Sequence, residues 1–399
     1  MRQITPSLLV LCLLFAAVAP VAAGGTRPDA EKAAAKKQRD EANKKRLADR
    51  AARAKTNKKI NDDLGKTIAA LMKDFAAEKD GFSGAVLVEK DGCHIHKAAY
   101  GMAHAGDRRK NAVDTYFEMG SVGKHFTAAA ILQLEERGKL SLDDTLQKYF
   151  KDVPKDKSAI TIRQLLSHSS GIAPPPPFEE MPDLTNRDLA MKYYLSLKLS
   201  GTPGKQGEYS NTNFNVAAAI VELVSKQSYE TYVRENLFSP AGLKETGFRG
   251  DSHLSRQREA RRYVGGTDIG SMIDRKYTWV HRGAGFIVSC LEDMRKWSKA
   301  LEDETVLTEE SKAKWRSQVL DTEPYGLGWY ITQNDGHIGM AHGGKTPGGR
   351  AFFLRFPDDD FMIVFFMNSI RTDDDIVLRD RVRDALLDAV IAALGDSGD

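Results

Sequence analysis

The alternation of apolar and polar positions divides the first part of the chain into helical and extended segments. Apolar residues recur three or four positions apart from Ile60 to Phe75, which predicts an amphipathic helix. Residues 84–90 and 93–100 have the composition of strands and flank Asp91-Gly92, a pair typical of a tight hairpin turn. Residues 126–134 form an apolar run of strong helix formers without Gly or Pro, and this run predicts a further helix.

The middle of the chain has helical patterns, and strand patterns return toward the C-terminus. The predicted helices of the middle are residues 161–166, 189–199, 214–225 and 229–237. The predicted elements that follow are strands at 286–289 and 326–332, a hairpin of 351–356 with 361–367, and a last amphipathic helix near 374–394.

Strands near both ends of the chain with helices between them indicate an α+β fold. We expect an antiparallel sheet flanked by helices, interrupted by an inserted all-helical domain. Residues 59–134 and 283–399 are assigned to the sheet domain, and residues 135–282 to the helical domain. A chain of 399 residues is long enough for this arrangement.

The N-terminus has the pattern of a secretory signal peptide. Arg2 precedes the apolar stretch Leu8–Ala17, and Val21-Ala22-Ala23 supplies small residues for cleavage. The apolar stretch is short for a membrane span, and no other stretch of the sequence approaches that length. We therefore expect residues 1–23 to be removed and the mature protein to be secreted or periplasmic, without a transmembrane span.

Residues 24–58 form a basic arm that has almost no large apolar side chains. Between residues 27 and 59 there are 13 Lys/Arg and 5 Asp/Glu, whereas the whole chain carries a net charge of only +3. Such a segment is typical of a helical or disordered spacer. The alternative is an electrostatic arm for an anionic partner, such as a cell-envelope polymer. We do not expect nucleic acid as a partner. The arm has no aromatic residues between its basic ones, and a protein with a signal peptide is exported from the compartment that holds nucleic acid.

Cysteines and histidines predict neither a disulfide framework nor a metal site. After signal removal only Cys93 and Cys290 remain, and the sequence leaves open whether they pair. His94 and His96 share one face of a predicted strand, but no third ligand lies nearby in the sequence. We expect no cofactor.

Ser121 and Lys124 are the first candidates for chemistry. They lie three residues apart at the predicted start of the 126–134 helix, so the Lys124 amine can point at the Ser121 hydroxyl. A lysine desolvated beside an apolar helix can lose its charge and act as the base for a serine nucleophile. The alternative is an ordinary capped helix, since Ser311-Lys312-Ala313-Lys314 repeats the pattern where both lysines are expected to face water.

Three motifs in chain order resemble those of the serine β-lactamase and penicillin-binding-protein group, and within it the class C β-lactamase-related hydrolases. The motifs are Ser121-Val122-Gly123-Lys124, Tyr209-Ser210-Asn211 and His342-Gly343-Gly344. The likeness extends over roughly residues 65–395. It implies a β-lactamase/transpeptidase-like fold and an acyl-enzyme mechanism on an ester, amide or peptide.

The resemblance also implies a role for each matched residue. Ser121 would be the nucleophile, and Lys124 and Tyr209 would share its proton, either with a phenolate or through a Lys–Tyr hydrogen bond. Asn211 would bind the substrate's amide or ester side chain. The N–H groups of Ser121 and Lys345 would form the oxyanion hole, and Gly344 would leave room for substrate along the strand.

His342 is a departure from the resemblance, because β-lactamases of this kind usually have a lysine at that position. A histidine there is expected to be only partly charged at neutral pH. We therefore expect esterase, D,D-peptidase or D-aminopeptidase activity, with weak β-lactam hydrolysis at most. The alternative from another class is a catalytically inactive, envelope-binding scaffold of the same fold.

Overall fold

The computed structural model describes residues 29–177, 180–334, 336–372 and 376–395. The chain divides into two compact units, residues 1–48 and residues 49–399. The expected signal peptide, residues 1–23, lies outside the described residues. Among the helices of the described ranges, none combines the length and the apolar character needed to cross a bilayer.

Helices are the longest regular elements in the middle of the chain, as the sequence pattern indicates, and loops separate them. In the described ranges the α-helices are α1 (Asp29–Thr56), α2 (Lys58–Ala77), α3 (Lys124–Glu136), α4 (Ile162–Leu166), α5 (Arg187–Ser196), α6 (Asn211–Ser225), α7 (Tyr229–Val233), α8 (Leu291–Ala300), α9 (Glu309–Arg316) and α10 (Val377–Gly395). Helix α4 begins with a capping box formed by Thr161 and Gln164, which satisfies backbone groups that a helix start leaves unpaired.

The long strands lie toward the two ends of the larger unit, and three strands of two residues each lie between them. The strands of the described ranges are β1 (Gly84–Lys90), β2 (Cys93–Tyr100), β3 (Met102–His104), β4 (Arg109–Lys110), β5 (Phe117–Glu118), β6 (Gly247–Phe248), β7 (Tyr263–Val264), β8 (Thr267–Asp268), β9 (Ile287–Ser289), β10 (Tyr330–Asn334), β11 (His337–Thr346), β12 (Gly349–Phe356), β13 (Phe361–Met367) and β14 (Ser369–Ile370). The main sheet has the order β10-β11-β12-β13-β1-β2, and each neighbouring pair is antiparallel.

One face of the main sheet is covered by α2 and α10. The apolar side chains that α2 buries recur at helical spacing, and they are Leu64, Ile68, Met72 and Phe75. They form one apolar cluster with Val86 and Phe365 on this face of the sheet and with Val382 and Leu386 of α10. The amphipathic helix predicted at residues 60–75 is thus the element that closes this side of the sheet.

The other face of the sheet shares a continuous core with the helices of the middle. Phe353 and Val364 of the sheet belong to the same buried cluster as Phe126 of α3 and Phe214 of α6. The α+β fold class is confirmed. Residues that the sequence divides between a sheet domain and a helical domain lie in one compact unit, because a single apolar core joins them.

The basic arm is helical where it is described, and its last part belongs to the larger unit. That unit begins at Asp49, before the end of the predicted arm. Arg50 donates to Asp360 in the β12–β13 turn, and Arg53 donates to Asp91 in the β1–β2 turn at 2.9 Å. Arg50 and Arg53, which the sequence assigns to the arm, are thus paired with carboxylates far away in the sequence.

The two cysteines of the described chain are separate thiols. Cys93 is exposed at the start of β2, and Cys290 is buried just before α8. Both are free, so the question that the sequence left open is answered against a disulfide. Burial raises the pKa of the Cys290 thiol to about 11, which makes it a poor nucleophile.

Candidate active site

Ser121 lies in a single 3₁₀ turn, Gly120–Gly123, that leads directly into α3. Gly120 has a φ of +51°, in the left-handed region that favours glycine. A Cβ at Gly120 would lie 2.8 Å from the carbonyl oxygen of Lys345, so glycine also permits the close approach to β11. The turn holds the partly exposed Ser121 against β11 and places Lys124 at the first position of α3.

Lys124 is completely buried and touches the candidate nucleophile. Its Nζ lies 3.0 Å from Ser121 Oγ, 2.7 Å from Asn211 Oδ1 and 2.6 Å from the carbonyl oxygen of Ala284. In the described part of the chain, no carboxylate forms an ion pair with this amine. Desolvation without a compensating negative charge lowers the pKa of Lys124 well below its usual value.

The three contacts of Lys124 can be satisfied by a neutral amine as well as by an ammonium, and the lowered pKa favours the neutral form. A neutral amine has two N–H groups and one lone pair, whereas carbonyl oxygens can only accept hydrogen bonds. The two N–H groups can therefore satisfy Asn211 Oδ1 and the Ala284 carbonyl, and the lone pair is left for the Ser121 hydroxyl. The Ser121 O–H can then donate to this lone pair, which is the arrangement of a nucleophile next to its base.

Tyr209 approaches both residues from the loop before α6. Its hydroxyl is hydrogen-bonded to Ser121, and its ring centroid lies 4.9 Å from Lys124 Nζ. Burial raises the pKa of Tyr209, although the bond to Ser121 acts in the opposite direction. The phenol therefore stays protonated, and the phenolate that the sequence allowed is not supported, because a neutral Lys124 supplies no cation to stabilise it.

His168 supports the Tyr209 segment, a role that sequence reasoning missed. It is buried with a φ of +56°, and its Nδ1 accepts a hydrogen bond from the Ser210 N–H at 3.2 Å. Its ring packs against the Tyr209 ring with centroids 4.4 Å apart. Burial lowers the pKa of His168, so the ring is neutral and able to accept. The sequence signal was a histidine within a Ser- and Gly-rich turn, which does not show the bond to a residue far along the chain.

The glycines of β11 let the strand pass close to the Ser121 turn. A Cβ at Gly344 would lie 2.1 Å from the carbonyl oxygen of Met119, so no larger residue fits there. The Lys345 backbone lies next to Gly120, and its side chain is exposed. Among the described residues, the pairing of β10 with β11 ends at Ala341.

His342 is neutral at pH 7, rather than partly charged as the sequence indicated. The residue is 3% exposed, and burial lowers the pKa of its ring to about 3. Its Nδ1 lies 2.7 Å from the carbonyl oxygen of Gly343. A carbonyl cannot donate, so Nδ1 carries the proton and Nε2 is left as an acceptor. The residue therefore brings no positive charge to the site.

A cavity of about 620 Å³ brings the candidate residues together. Ser121, Tyr209, His342 and Lys345 line it, while Lys124 lies behind Ser121 in the protein interior. Asn211 lies at the start of α6 beside Lys124, and Gly344 packs behind the strand. The structure thus gathers all seven residues singled out in the sequence. Tyr330 of β10 and residues at the start of α10 also line the cavity, although no sequence motif pointed to them.

Residues 67–387 match the family model described as Beta-lactamase. Penicillin-binding protein 4* of Bacillus subtilis (strain 168) is 27% identical over 319 residues, which cover 73% of this chain and 69% of that protein. Protein flp of Staphylococcus aureus (strain MW2) is 28% identical over 299 residues, which cover 71% of this chain but only 59% of that protein.

A solved structure shows the same fold with lower sequence identity. The D-amino acid amidase of Ochrobactrum anthropi SV3, complexed with L-phenylalanine amide, superposes with a TM-score of 0.69. The two chains are 22% identical, and the match covers 84% of this chain and 100% of the amidase. At this identity the likeness shows a shared fold, and substrates require a separate argument.

Proposed function

The chain belongs to the beta-lactamase family, whose serine hydrolases work by acyl transfer, and we propose that it hydrolyses an ester or amide through an acyl-enzyme on Ser121. The observation that carries the proposal is the buried Lys124 amine, 3.0 Å from Ser121 Oγ and without an acidic partner in the described chain. A base of this kind can take the serine proton at neutral pH because its own pKa is depressed.

In the proposed acylation step, Ser121 Oγ bonds to the substrate carbonyl carbon as its proton passes to Lys124 Nζ. The negative charge that develops on the carbonyl oxygen is stabilised by the backbone N–H groups of Ser121 and Lys345. The Tyr209 hydroxyl donates its proton to the departing amine or alcohol, and the ammonium on Lys124 replaces it. Water then attacks the acyl-enzyme with the same groups acting in reverse.

We propose that Asn211 and His342 determine which substrates the site binds. Asn211 Oδ1 accepts from Lys124, so its amide N–H₂ group is the part able to donate to a substrate carbonyl. Neutral His342 offers an acceptor instead of the positive charge of a lysine, which weakens the case for β-lactam hydrolysis. An amide or peptide is the substrate class we favour, because the Asn211 N–H₂ group can donate to an amide carbonyl. D-Amino acid amides are the first members of that class to test, since an amidase that acts on them shares the fold.

Covalent labelling tests the proposal against an inactive scaffold. The mature chain should take up one fluorophosphonate per molecule, and peptide mass spectrometry should locate it on Ser121. Nitrocefin, p-nitrophenyl esters and D-amino acid amides should then be compared as substrates. Absence of any label, together with no turnover across this panel, would favour the scaffold.

We also propose that residues 1–23 direct export to a secreted or periplasmic location, and that residues 24–48 serve as a spacer or bind an anionic envelope polymer.

Deletion of 24–48 should leave turnover and melting temperature unchanged. Deletion of 24–58 should lower stability by about 3 kcal/mol, because it also removes Arg50 and Arg53 from their carboxylates. Thermal melting of the two truncations is the measurement, and equal melting temperatures would contradict the boundary. Retention on purified envelope polymer would separate the two roles of the arm.

A further inference from the structure

The segment that leads into β9 has a strained backbone beside the Ser121 site. Gly283, Gly285 and Phe286 have φ angles of +76°, +139° and +62°. Glycine adopts such angles without steric cost, whereas the Cβ of a phenylalanine crowds the neighbouring backbone there. A bulky residue stays in this conformation only where its surroundings hold it. The strain at Phe286 must therefore be offset by contacts elsewhere in the fold.

Backbone groups of this segment contact both the turn of the nucleophile and Lys124. The Ala284 carbonyl oxygen accepts from Lys124 Nζ at 2.6 Å, and the Phe286 N–H donates to the carbonyl oxygen of Gly120 at 3.3 Å. Gly285, between them, lies so close to Gly120 that an added Cβ would be 2.1 Å from the same oxygen. The segment thus joins the residue before the nucleophile to the proposed base.

The Phe286 ring packs against charged and aromatic groups. The Arg249 guanidinium lies 4.8 Å from the ring centroid, a cation–π distance, and the His281 ring meets it edge to face at 4.8 Å. Arg249 pairs with Glu118, and both of these side chains are buried. Its Nη1 donates to His281 Nε2 at 3.0 Å, since burial lowers the pKa of His281 to about 3 and leaves the ring neutral. These contacts hold the Phe286 ring in place.

The partners of the ring come from the same two segments that form the site. Glu118 ends β5, two residues before Gly120. The His281 carbonyl oxygen accepts from the Ala284 N–H at 3.2 Å. Movement of the Phe286 ring would therefore displace the Ala284 carbonyl oxygen relative to the turn that carries the nucleophile.

We propose that Phe286 is a positioning residue of the Ser121 site, whose left-handed backbone keeps the Ala284 carbonyl oxygen on Lys124 and the Ser121 turn beside it. Loss of that conformation removes an acceptor from the buried amine and loosens the turn. The inference rests on the proposed function of Ser121 for its catalytic meaning, but the environment of Lys124 can be measured without turnover.

Phe286→Ala and Phe286→Gly, made in the full-length chain, separate the backbone role from packing. Both remove the ring, but alanine retains the Cβ that makes a positive φ costly, whereas glycine does not. Fluorophosphonate should therefore label Ser121 roughly five- to thirtyfold more slowly in the alanine variant than in the glycine variant, the ratio expected for the strain of one left-handed residue. Equal rates, or slower labelling of the glycine variant, would overturn the proposal.

Phe248 is the matched control for these substitutions. It is buried, its ring lies 4.7 Å from the Arg234 guanidinium, and it pairs with Ile287 of β9, but its φ is not positive. At this position glycine only adds conformational entropy to the unfolded chain, so Phe248→Gly should label no faster than Phe248→Ala. A glycine advantage of the same size at both positions would overturn the specific role of Phe286.

The Lys124 signal of chains labelled with ¹³Cε-lysine measures positioning without turnover. At a temperature where the variants are folded, Phe286→Ala should shift this signal, and Phe286→Gly should return it toward its wild-type position. A signal unchanged in Phe286→Ala would overturn the proposal even if Ser121 is labelled. Failure of the wild-type Ser121 to react would refute the proposed function and leave the signal to decide the role of Phe286.

Two larger replacements cover the case in which loss of the ring prevents folding. Asparagine tolerates the left-handed region, whereas leucine keeps more of the apolar bulk. Phe286→Asn should therefore label faster than Phe286→Leu, and its Lys124 signal should lie closer to that of the wild type. The opposite order would show that Phe286 contributes packing alone, and would overturn the proposal.

Discussion

Two segments of this chain have the same Ser-x-x-Lys spacing, and the structure gives them different environments. At Ser121 the lysine three residues later is buried, touches the serine hydroxyl at 3.0 Å and meets only neutral acceptors. At Ser311, in α9, the Lys314 amine instead contacts Glu135 at 3.2 Å and Glu310 at 3.1 Å. Burial acts to lower the pKa of Lys314, but these two carboxylates outweigh it and raise the pKa.

The comparison shows that spacing alone does not make a lysine a base. Both lysines lie one helical turn from a serine, and the sign of the pKa shift is decided by residues distant in sequence. Glu135 comes from the end of α3, the helix that begins with Lys124 itself. The expectation that both lysines of the α9 copy face water is wrong for Lys312, which is 5% exposed and donates to the carbonyl oxygen of Asp303.

Removal of the two serines should give the largest contrast. Ser121→Ala should lower kcat/KM for any ester that the protein hydrolyses by at least about a thousandfold, because the nucleophile is lost. Ser311→Ala should leave kcat/KM within twofold. Steady-state assays with both variants, matched by circular dichroism, make the measurement. Equal activity of the two variants would remove the distinction between the two segments.

Removal of the two lysine amines should give the next largest contrast. Lys124→Met keeps an unbranched apolar stem but removes the base, so acylation should slow by about 10²- to 10⁴-fold. Lys314→Met removes a surface ion pair and should cost less than about 1 kcal/mol of stability, with no effect on acylation. Stopped-flow acylation and thermal melting report the two effects. Fast acylation by the Lys124 variant would assign the base elsewhere.

The pH dependence of kcat/KM should follow the depressed pKa of Lys124. The neutral amine is the active form, so activity should be lost as pH falls through that pKa and be flat above it. A lysine with its usual pKa of 10.5 would instead give a rate that rises tenfold per pH unit from neutral pH up to that value. A rate profile from about pH 5 to 10 distinguishes the two shapes. A continuous rise to pH 10 would contradict the neutral amine.

Substitution of His168 should give a smaller effect that acts through Tyr209. His168→Leu removes the acceptor of the Ser210 N–H and should cost about 1–3 kcal/mol of stability, with a roughly tenfold loss of kcat. His168→Asn keeps an acceptor and tolerates the φ of +56°, so it should recover part of the loss. Kinetics with melting curves separates this positioning role from general destabilisation. No difference between the two variants would argue against the Ser210 bond.

The fold class follows from local sequence pattern and is confirmed, whereas the candidate site residues come from the family resemblance and the structure brings them together around one cavity. The apolar spacing of α2 and the turn at Asp91-Gly92 determine their elements with little help from the rest of the chain. The environment of the site residues is not local. Three contacts connect segments that are distant in the sequence. Lys124 donates to the Ala284 carbonyl oxygen, the His168 ring packs on Tyr209, and the Arg379 guanidinium lies beside Gly343.

The protonation state of Lys124 is the central claim, and nuclear magnetic resonance measures it directly. With ¹³Cε-labelled lysine, the Lys124 and Lys314 signals can be assigned from the Lys124→Met and Lys314→Met variants and titrated in one sample. The structure predicts that Lys124 titrates well below 10.5, while Lys314 titrates above it. Two lysines that titrate together near 10.5 would contradict the account.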